Sequence, residues 1–309
     1  MSLKNCSNAP HGFALIAVLW LLILLSLIAM QISSVTRSEA LLARNMTVGS
    51  QVQHAAESGV RWAIWSLTLP QEERWLADGS VQKMEFDITD IAVSLQDENG
   101  KIDINMITPA HLAKLFEVAE VDEEIATPLV DAILDWRDED DLKRLNGAED
   151  EDYLAEGYEY GAKDGIFESV EELQKVLGME AWIYNAISPA LTVYSLKDGI
   201  NPLVAPRLVL LSLEGADEYI VDQYIEDRRL NHEDRLPPPE TPPLQGKFIS
   251  PTLQGVYYTI YTEAVAGQYG KAFKQVVVRR RSAAANARFD LIKSSEKKEP
   301  LFIGVESDD

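Results

Sequence analysis

Apolar residues crowd the beginning of the chain. From Phe13 to Val35 no side chain is ionisable, and Phe13 to Met30 is apolar except for Ser26. At about 1.5 Å of rise per residue, roughly 20 such residues cross a ~30 Å hydrocarbon layer, so the run predicts a membrane-spanning helix over 13–36. A cleaved secretory signal would have a shorter apolar core and a small-residue cleavage site; this run is longer and continues without one. The pattern then changes character without stopping. Leu41, Val48, Val52, Ala55, Ala56, Gly59, Val60 and Ala63 recur at three- and four-residue steps between polar positions, which predicts one helix over 13–69. Its small residues Ala55, Ala56, Gly59 and Ala63 predict close approach of another surface, either the chain's own sheet or a neighbouring subunit.

Beyond Pro70 and Asp78-Gly79 the period shortens to two. Met84–Thr89 and Ile91–Asp97 alternate, and Asn99-Gly100 ahead of Lys101–Asn105 predicts a hairpin turn. A second hairpin is predicted from Val256–Ala266 and Lys271–Arg279 around Gly267–Gly270. These two sheet segments, 78–105 and 248–281, flank a helical stretch over 106–235. There Thr108-Pro109 and Thr127-Pro128 read as helix starts, and the segments after Asn105 and Asn201 look like two related helical units. The fold class is α+β: a long N-terminal transmembrane helix and a small antiparallel sheet domain with a large all-α domain inserted in it. Residues 236–247 are a Pro-rich linker of extended polyproline character. Residues 282–309 lose all pattern and are expected to be a disordered tail.

Charge narrows the function. Lys plus Arg number 28 against 50 Asp plus Glu, a net charge of −22, so phosphate backbones repel the chain. The helical hairpins that could present amides to phosphate, Val118–Glu124 and Leu213–Glu218, carry carboxylates instead. No catalytic constellation is present, since His11, His54, His111 and His232 are scattered and the glycines at 147, 157, 161 and 165 lack a phosphate-loop lysine. The chain therefore reads as a non-enzyme. Its one cysteine, Cys6, leaves no partner for a disulfide.

The densest chemical signal is the acidic loop 135–152. Nine carboxylates there face only Arg137, Lys143 and Arg144. One reading is a solvated charge run. The other is a loop that binds a hard cation through oxygen ligands, because Trp136, Leu142, Leu145, Tyr153, Tyr158, Tyr160 and Phe167 would pin the carboxylates against a core. The twelve-residue calcium-loop template fails, since its sixth position would be Asp140 or Lys143 rather than glycine.

A short leader over 1–12 ending in Gly12, then Phe13 and the apolar run, resembles the N-terminus of type IV pilins and pseudopilins. That resemblance implies cleavage between Gly12 and Phe13 by the prepilin peptidase and methylation of the new amino terminus. Ala17 departs from the family pattern, which has glutamate at the fifth position after the cut. The departure, the split sheet, the helical insert and the run Asp135-Trp136-Arg137-Asp138 with Asn146–Asp150 and Tyr153 together resemble the protein K family of type II secretion minor pseudopilins, from Gly12 to about Arg281. The resemblance implies a pseudopilin-like sheet, an insert of SAM-like or helix-hairpin-helix-like modules, and a place at the tip of a periplasmic pseudopilus that exports folded proteins across the outer membrane. Implied partners are other minor pseudopilins, the major pseudopilin, the inner-membrane assembly platform and the prepilin peptidase. The implied location is the Gram-negative inner membrane, single-pass, with the bulk of the chain periplasmic. It also implies structural calcium, with Asp135, Asp138, Asp140, Glu149 and Asp152 as ligands. The alternative is an anchored periplasmic adaptor stabilised by calcium and unrelated to filaments, and processing at Gly12 separates the two.

Overall fold

A computed structural model describes residues 11–86, 88–249, 255–267, 270–281 and 288–296. The first element is the helix α1, His11–Ser66. It includes Gly12 and Phe13, while residues 1–10, where most of the expected leader falls, lie outside the described residues. Side chains from Leu15 to Met46 are all exposed, and an 18-residue window there has a mean hydropathy of 2.7. From Val48 onward the helix acquires a buried stripe of Val52, Ala55, Ala56, Val60 and Ala63. The close approach goes to the chain's own sheet. A Cβ on Gly59 would sit 2.9 Å from Val93 Cγ2 and 3.1 Å from Ile91 Cγ2, so only glycine lets the helix lie this near.

That sheet has five antiparallel strands in the order β1-β2-β5-β6-β7. They are β1 Asp78–Phe86, β2 Thr89–Asp97, β5 Tyr257–Ala266, β6 Gly270–Arg280 and β7 Phe289–Ser295. Alternation along each strand sends Ile91, Val93, Leu95, Ile260, Val276 and Val278 into the core beneath α1. Ser94, Gln96 and Thr259 occupy the intervening positions and are buried polar groups.

Between β2 and β5 lies a second core with its own elements. These are β3 Ile102–Asp103, α2 Pro109–Val118, α3 Glu123–Arg137, α4 Asp150–Ala155, α5 Ala181–Ile187, β4 Leu191–Thr192, α6 Arg207–Leu211 and α7 Glu218–Glu233. Leu112, Leu115, Phe116, Leu129, Ile133, Leu173 and Ile183 are fully buried in it. The insert is not purely helical, because β3 and β4 form a short parallel pair.

Three expectations need correction. Asn99-Gly100 does not turn a hairpin; Glu98–Gly100 is a single 3-10 turn capped by Asp97, and the hairpin is β1–β2, where Phe86 pairs with Thr89. Asn99 and Gly100 instead permit close contact, since the Asn99 carbonyl accepts from Asn201 N at 2.7 Å and a Cβ on Gly100 would meet Val204 O at 2.3 Å. Thr127-Pro128 does not start a helix. Pro128 sits inside α3, which begins earlier where Glu123 and Glu124 complement the helix dipole. Finally, the tail over 282–309 is not patternless throughout, because β7 pairs with β6 from Arg280↔Phe289 to Gln275↔Ser295. Asp290 holds it, accepting from Arg279 at 3.0 Å and Arg281 at 2.7 Å. Residues 282–287 and 297–309 lie outside the described residues.

Candidate functional site

The C-terminal end of α3 delivers the first acidic residue into the interior. Asp135 is fully buried, beside Trp136, whose ring lies 5.8 Å from Tyr153, 6.3 Å from Tyr160 and 6.3 Å from Phe167. Tyr153 anchors α4 by accepting from Leu177 N at 3.1 Å. These rings fix the two ends of the loop between α3 and α4, which keeps Asp135 and Glu149 buried, while Leu142 and Leu145, expected to pin it as well, are exposed together with Asp140 and Asp141. Arg137 turns away from them and donates to the carbonyls of Ile104 and Ile107, the latter at 2.8 Å.

Arg144 turns inward. Its backbone N–H donates to Asp135 Oδ2 at 3.2 Å, its Nη1 to Asp135 Oδ1 at 2.5 Å, and the same Nη1 reaches Asp138 Oδ2. Gly147 backs this carboxylate so closely that a Cβ there would lie 1.8 Å from Asp135 Oδ2. Glu149 is buried nearby. Its carboxyl is pushed up to about 7, first by burial and then by the charges of Asp135, Asp138, Asp164 and Asp141. Glu149 Oε1 and Asp138 Oδ1 are buried with no hydrogen-bond partner among the described residues.

Of the five acidic residues singled out in the sequence, the structure gathers Asp135, Asp138 and Glu149. Asp152 is engaged elsewhere: it accepts from Glu149 N at 2.9 Å and from Lys143 Nζ at 2.5 Å, which together hold its carboxyl below the usual range. Asp140 is exposed and accepts from Leu142 N within its own turn. Two neighbours were missed. Asp164, at φ 52, has its carboxyl raised by burial and then by Asp150, Asp141 and Asp138. Gly161 packs on Asp150, where a Cβ would lie 1.8 Å from Oδ1. Of the glycines at 157, 161 and 165 only Gly161 packs on the first loop, so the sequence held no clear signal for either.

Among the described residues no three acidic, histidine or cysteine groups converge tightly enough to enclose a metal as the side chains stand. Arg144 supplies the positive charge between the two nearest. The donors are nevertheless all oxygens, two of them orphaned and one carboxyl strongly perturbed, and this chemistry fits a hard cation.

Residues 85–196, which carry this whole loop, match the family model described as type II secretion system (T2SS), protein K. Over this segment the chain is similar to the type II secretion system protein K family. Protein K of Klebsiella pneumoniae is 37% identical over 90 residues, covering 28% of this chain and 28% of the relative. That of Dickeya chrysanthemi is 33% identical over 102 residues, covering 32% and 28% respectively. The matched segment thus spans little more than a quarter of these two relatives. The protein K of Aeromonas hydrophila extends the match to 230 residues at 27% identity, 65% of this chain and 69% of the relative. In fold the chain is similar to a chain from the crystal structure of the GspK-GspI-GspJ complex of the enterotoxigenic Escherichia coli type 2 secretion system. The TM-score is 0.57 at 15% identity, covering 83% of this chain and 99% of that one.

Proposed function

We propose that this chain is a minor pseudopilin of a type II secretion system, a structural rather than catalytic subunit that sits at the tip of a periplasmic pseudopilus and helps drive folded proteins across the outer membrane. The observation that carries this reading is the division of labour along α1. Its second half is fused to the sheet through Gly59 and the alanine stripe, while its first half projects as a bare apolar rod of a length that crosses a bilayer. Such a rod needs lipid or other helices, and the fold likeness to a chain of a GspK-GspI-GspJ complex supports other minor pseudopilins as those partners. The reading places the chain in the inner membrane of a Gram-negative cell with its bulk in the periplasm. The major pseudopilin and the assembly platform are its further partners. Ala17 supports the tip position, because a subunit without a carboxylate at that depth has none to pair with the amino terminus of a subunit ahead of it.

The acidic loop fits into this reading as a calcium site. Asp135, Asp138 and Glu149 would hold the ion once Arg144 lets go of the first two, with Asp152 reached only after Lys143 releases it and Asp140 only after its own turn at Leu142 N opens. Bound calcium would supply the positive charge that the loop's carboxylates lack, locking the loop to α3 and α4.

The test is the N-terminal residue of the membrane-extracted protein, read by mass spectrometry with and without the prepilin peptidase. A mature chain beginning at Phe13, methylated, and only in the presence of the peptidase is expected. An intact Met1 under both conditions overturns the pseudopilin assignment, and crosslinks placing the major pseudopilin above this subunit overturn the tip position.

A further inference from the structure

We infer that the junction between the end of α1, the sheet and the insert is an anion pocket, built to hold a carboxylate carried on an apolar stem. A cavity of about 360 Å³ opens there, between the α1–β1 connection, the start of the insert's second half and the end of α7. Arg74, Arg228, His232 and Arg235 all line it. Arg228 donates Nη1 to the carbonyls of Pro202 and Ala205 and Nη2 to Asp78, and Arg74 donates Nη2 to the carbonyl of Leu69. Each guanidinium then keeps a buried Nε–H with no acceptor among the described residues.

A buried donor on a charged group without a partner forfeits its hydration for nothing, and folded proteins rarely leave one so. The orphaned side-chain atoms of the described residues fall in only two places. Trp136, Asp138 and Glu149 belong to the acidic loop, and Arg74 and Arg228 share this cavity. The acidic residues that line it do not answer them. Glu72 is exposed, and Asp97 spends its two oxygens on Asn99 N at 2.9 Å and Gly255 N at 3.0 Å. A cationic recess on a chain of net charge −22 is therefore a local construction and not a product of composition. Leu67, Trp75 and Pro237 give the wall an apolar side, beside the polar Gln71 and Asn201. A carboxylate has two oxygens for two waiting donors, and an aliphatic stem would cover the Trp75 side. A free small carboxylate and the carboxyl terminus of a peptide share that chemistry.

The test uses the full chain in detergent micelles and follows the thermal unfolding midpoint. The probes are butanoate against butan-1-ol, inorganic phosphate, and a short peptide ending in leucine as the free acid against its amide. The expected result is a saturable rise with at least one carboxylate and none with its uncharged twin. Arg74→Met should weaken it by about tenfold or more, and Arg74→Lys, which keeps the charge but lacks Nε, should weaken it as well. Circular dichroism of both variants establishes that they fold. A response to butanoate assigns a small-molecule source, and a response to the peptide acid alone assigns a chain terminus. Absence of saturation with either carboxylate, equal response to the alcohol or amide, phosphate binding in their place, or unchanged affinity in both folded variants overturns the pocket.

Discussion

Arg228 and Asp78 form a buried ion pair, Nη2 to Oδ2 at 3.0 Å, that joins the last helix of the insert to the first strand of the sheet. Only 3% and 8% of these side chains remain exposed, so water cannot replace either partner. The same guanidinium grips the Pro202 and Ala205 carbonyls, which places three parts of the chain on one residue.

Arg228→Ala should therefore cost about 3–5 kcal/mol, the range for leaving one member of a buried pair uncompensated. Urea denaturation of the variant followed by tryptophan fluorescence checks this. A loss below about 1 kcal/mol would show that water reaches Asp78 and that the junction is not as closed as its geometry indicates.

Gly147 faces a carboxylate rather than a solvent gap, and its replacement has a defined consequence. In Gly147→Ala the new methyl would fall 1.8 Å from Asp135 Oδ2, so either the loop or Asp135 must move. We expect a loss of about 1–3 kcal/mol and a change in the near-ultraviolet signal of Trp136, since the shift is transmitted to the ring cluster around it. Gly157→Ala serves as a control for the loop's surroundings, because open space surrounds that position, although its φ of 87 carries a backbone cost of its own.

How far the sequence foretold this can be judged residue by residue. The helix α1 and strands β2, β5 and β6 announce themselves through periodicity, because each sends apolar side chains at regular steps into the one core between helix and sheet. Strand β7 does not, since Leu291 and Ile292 are both exposed and its order comes from β6 and from Asp290. Asn99-Gly100 misleads for a related reason. A turn dipeptide and a point of close backbone approach call for the same residues, and only the distant Asn201 and Val204 decide between them. In the acidic loop the clustering of carboxylates was legible. Which of Arg137, Lys143 and Arg144 would turn inward was not, because that depends on the carbonyls of Ile104 and Ile107 capturing Arg137 first.

Asp97 predicts an unusual pH dependence. Burial raises its carboxyl from 3.8 to about 7, against the opposing pull of the Asn99 and Gly255 amides. A carboxyl raised on folding binds its proton more tightly in the native state. Its contribution is thus fully present below about pH 4 and is lost as the pH climbs to about 7. Other carboxylates, such as Asp290, shift downward and act in the opposite sense, so the variant comparison isolates the effect. Relative to wild type, Asp97→Asn should gain stability with rising pH over that window, by at most about 1.4 kcal/mol per pH unit. Parallel stability curves for the two proteins would mean that Asp97 stays ionised when buried.

The calcium reading is tested most sharply at Arg144, because the arginine and the ion would serve the same carboxylates. With Arg144 in place, Asp135 and Asp138 have an internal counter-charge, while Glu149 Oε1 and Asp138 Oδ1 keep no hydrogen-bond partner among the described residues. Calcium should therefore raise the melting temperature of the wild-type protein, and chelation should lower it. Asp138→Asn and Glu149→Gln should each weaken binding by about 10- to 100-fold in calorimetric titration, while Asp140→Asn, whose carboxylate lies in its own exposed turn, should have a smaller effect. Arg144→Met separates the two sources of charge: without calcium it should be markedly less stable than wild type, and with saturating calcium most of that deficit should disappear. If the deficit is the same with and without the ion, Arg144 alone is the loop's counter-charge and the carboxylates do not form a calcium site.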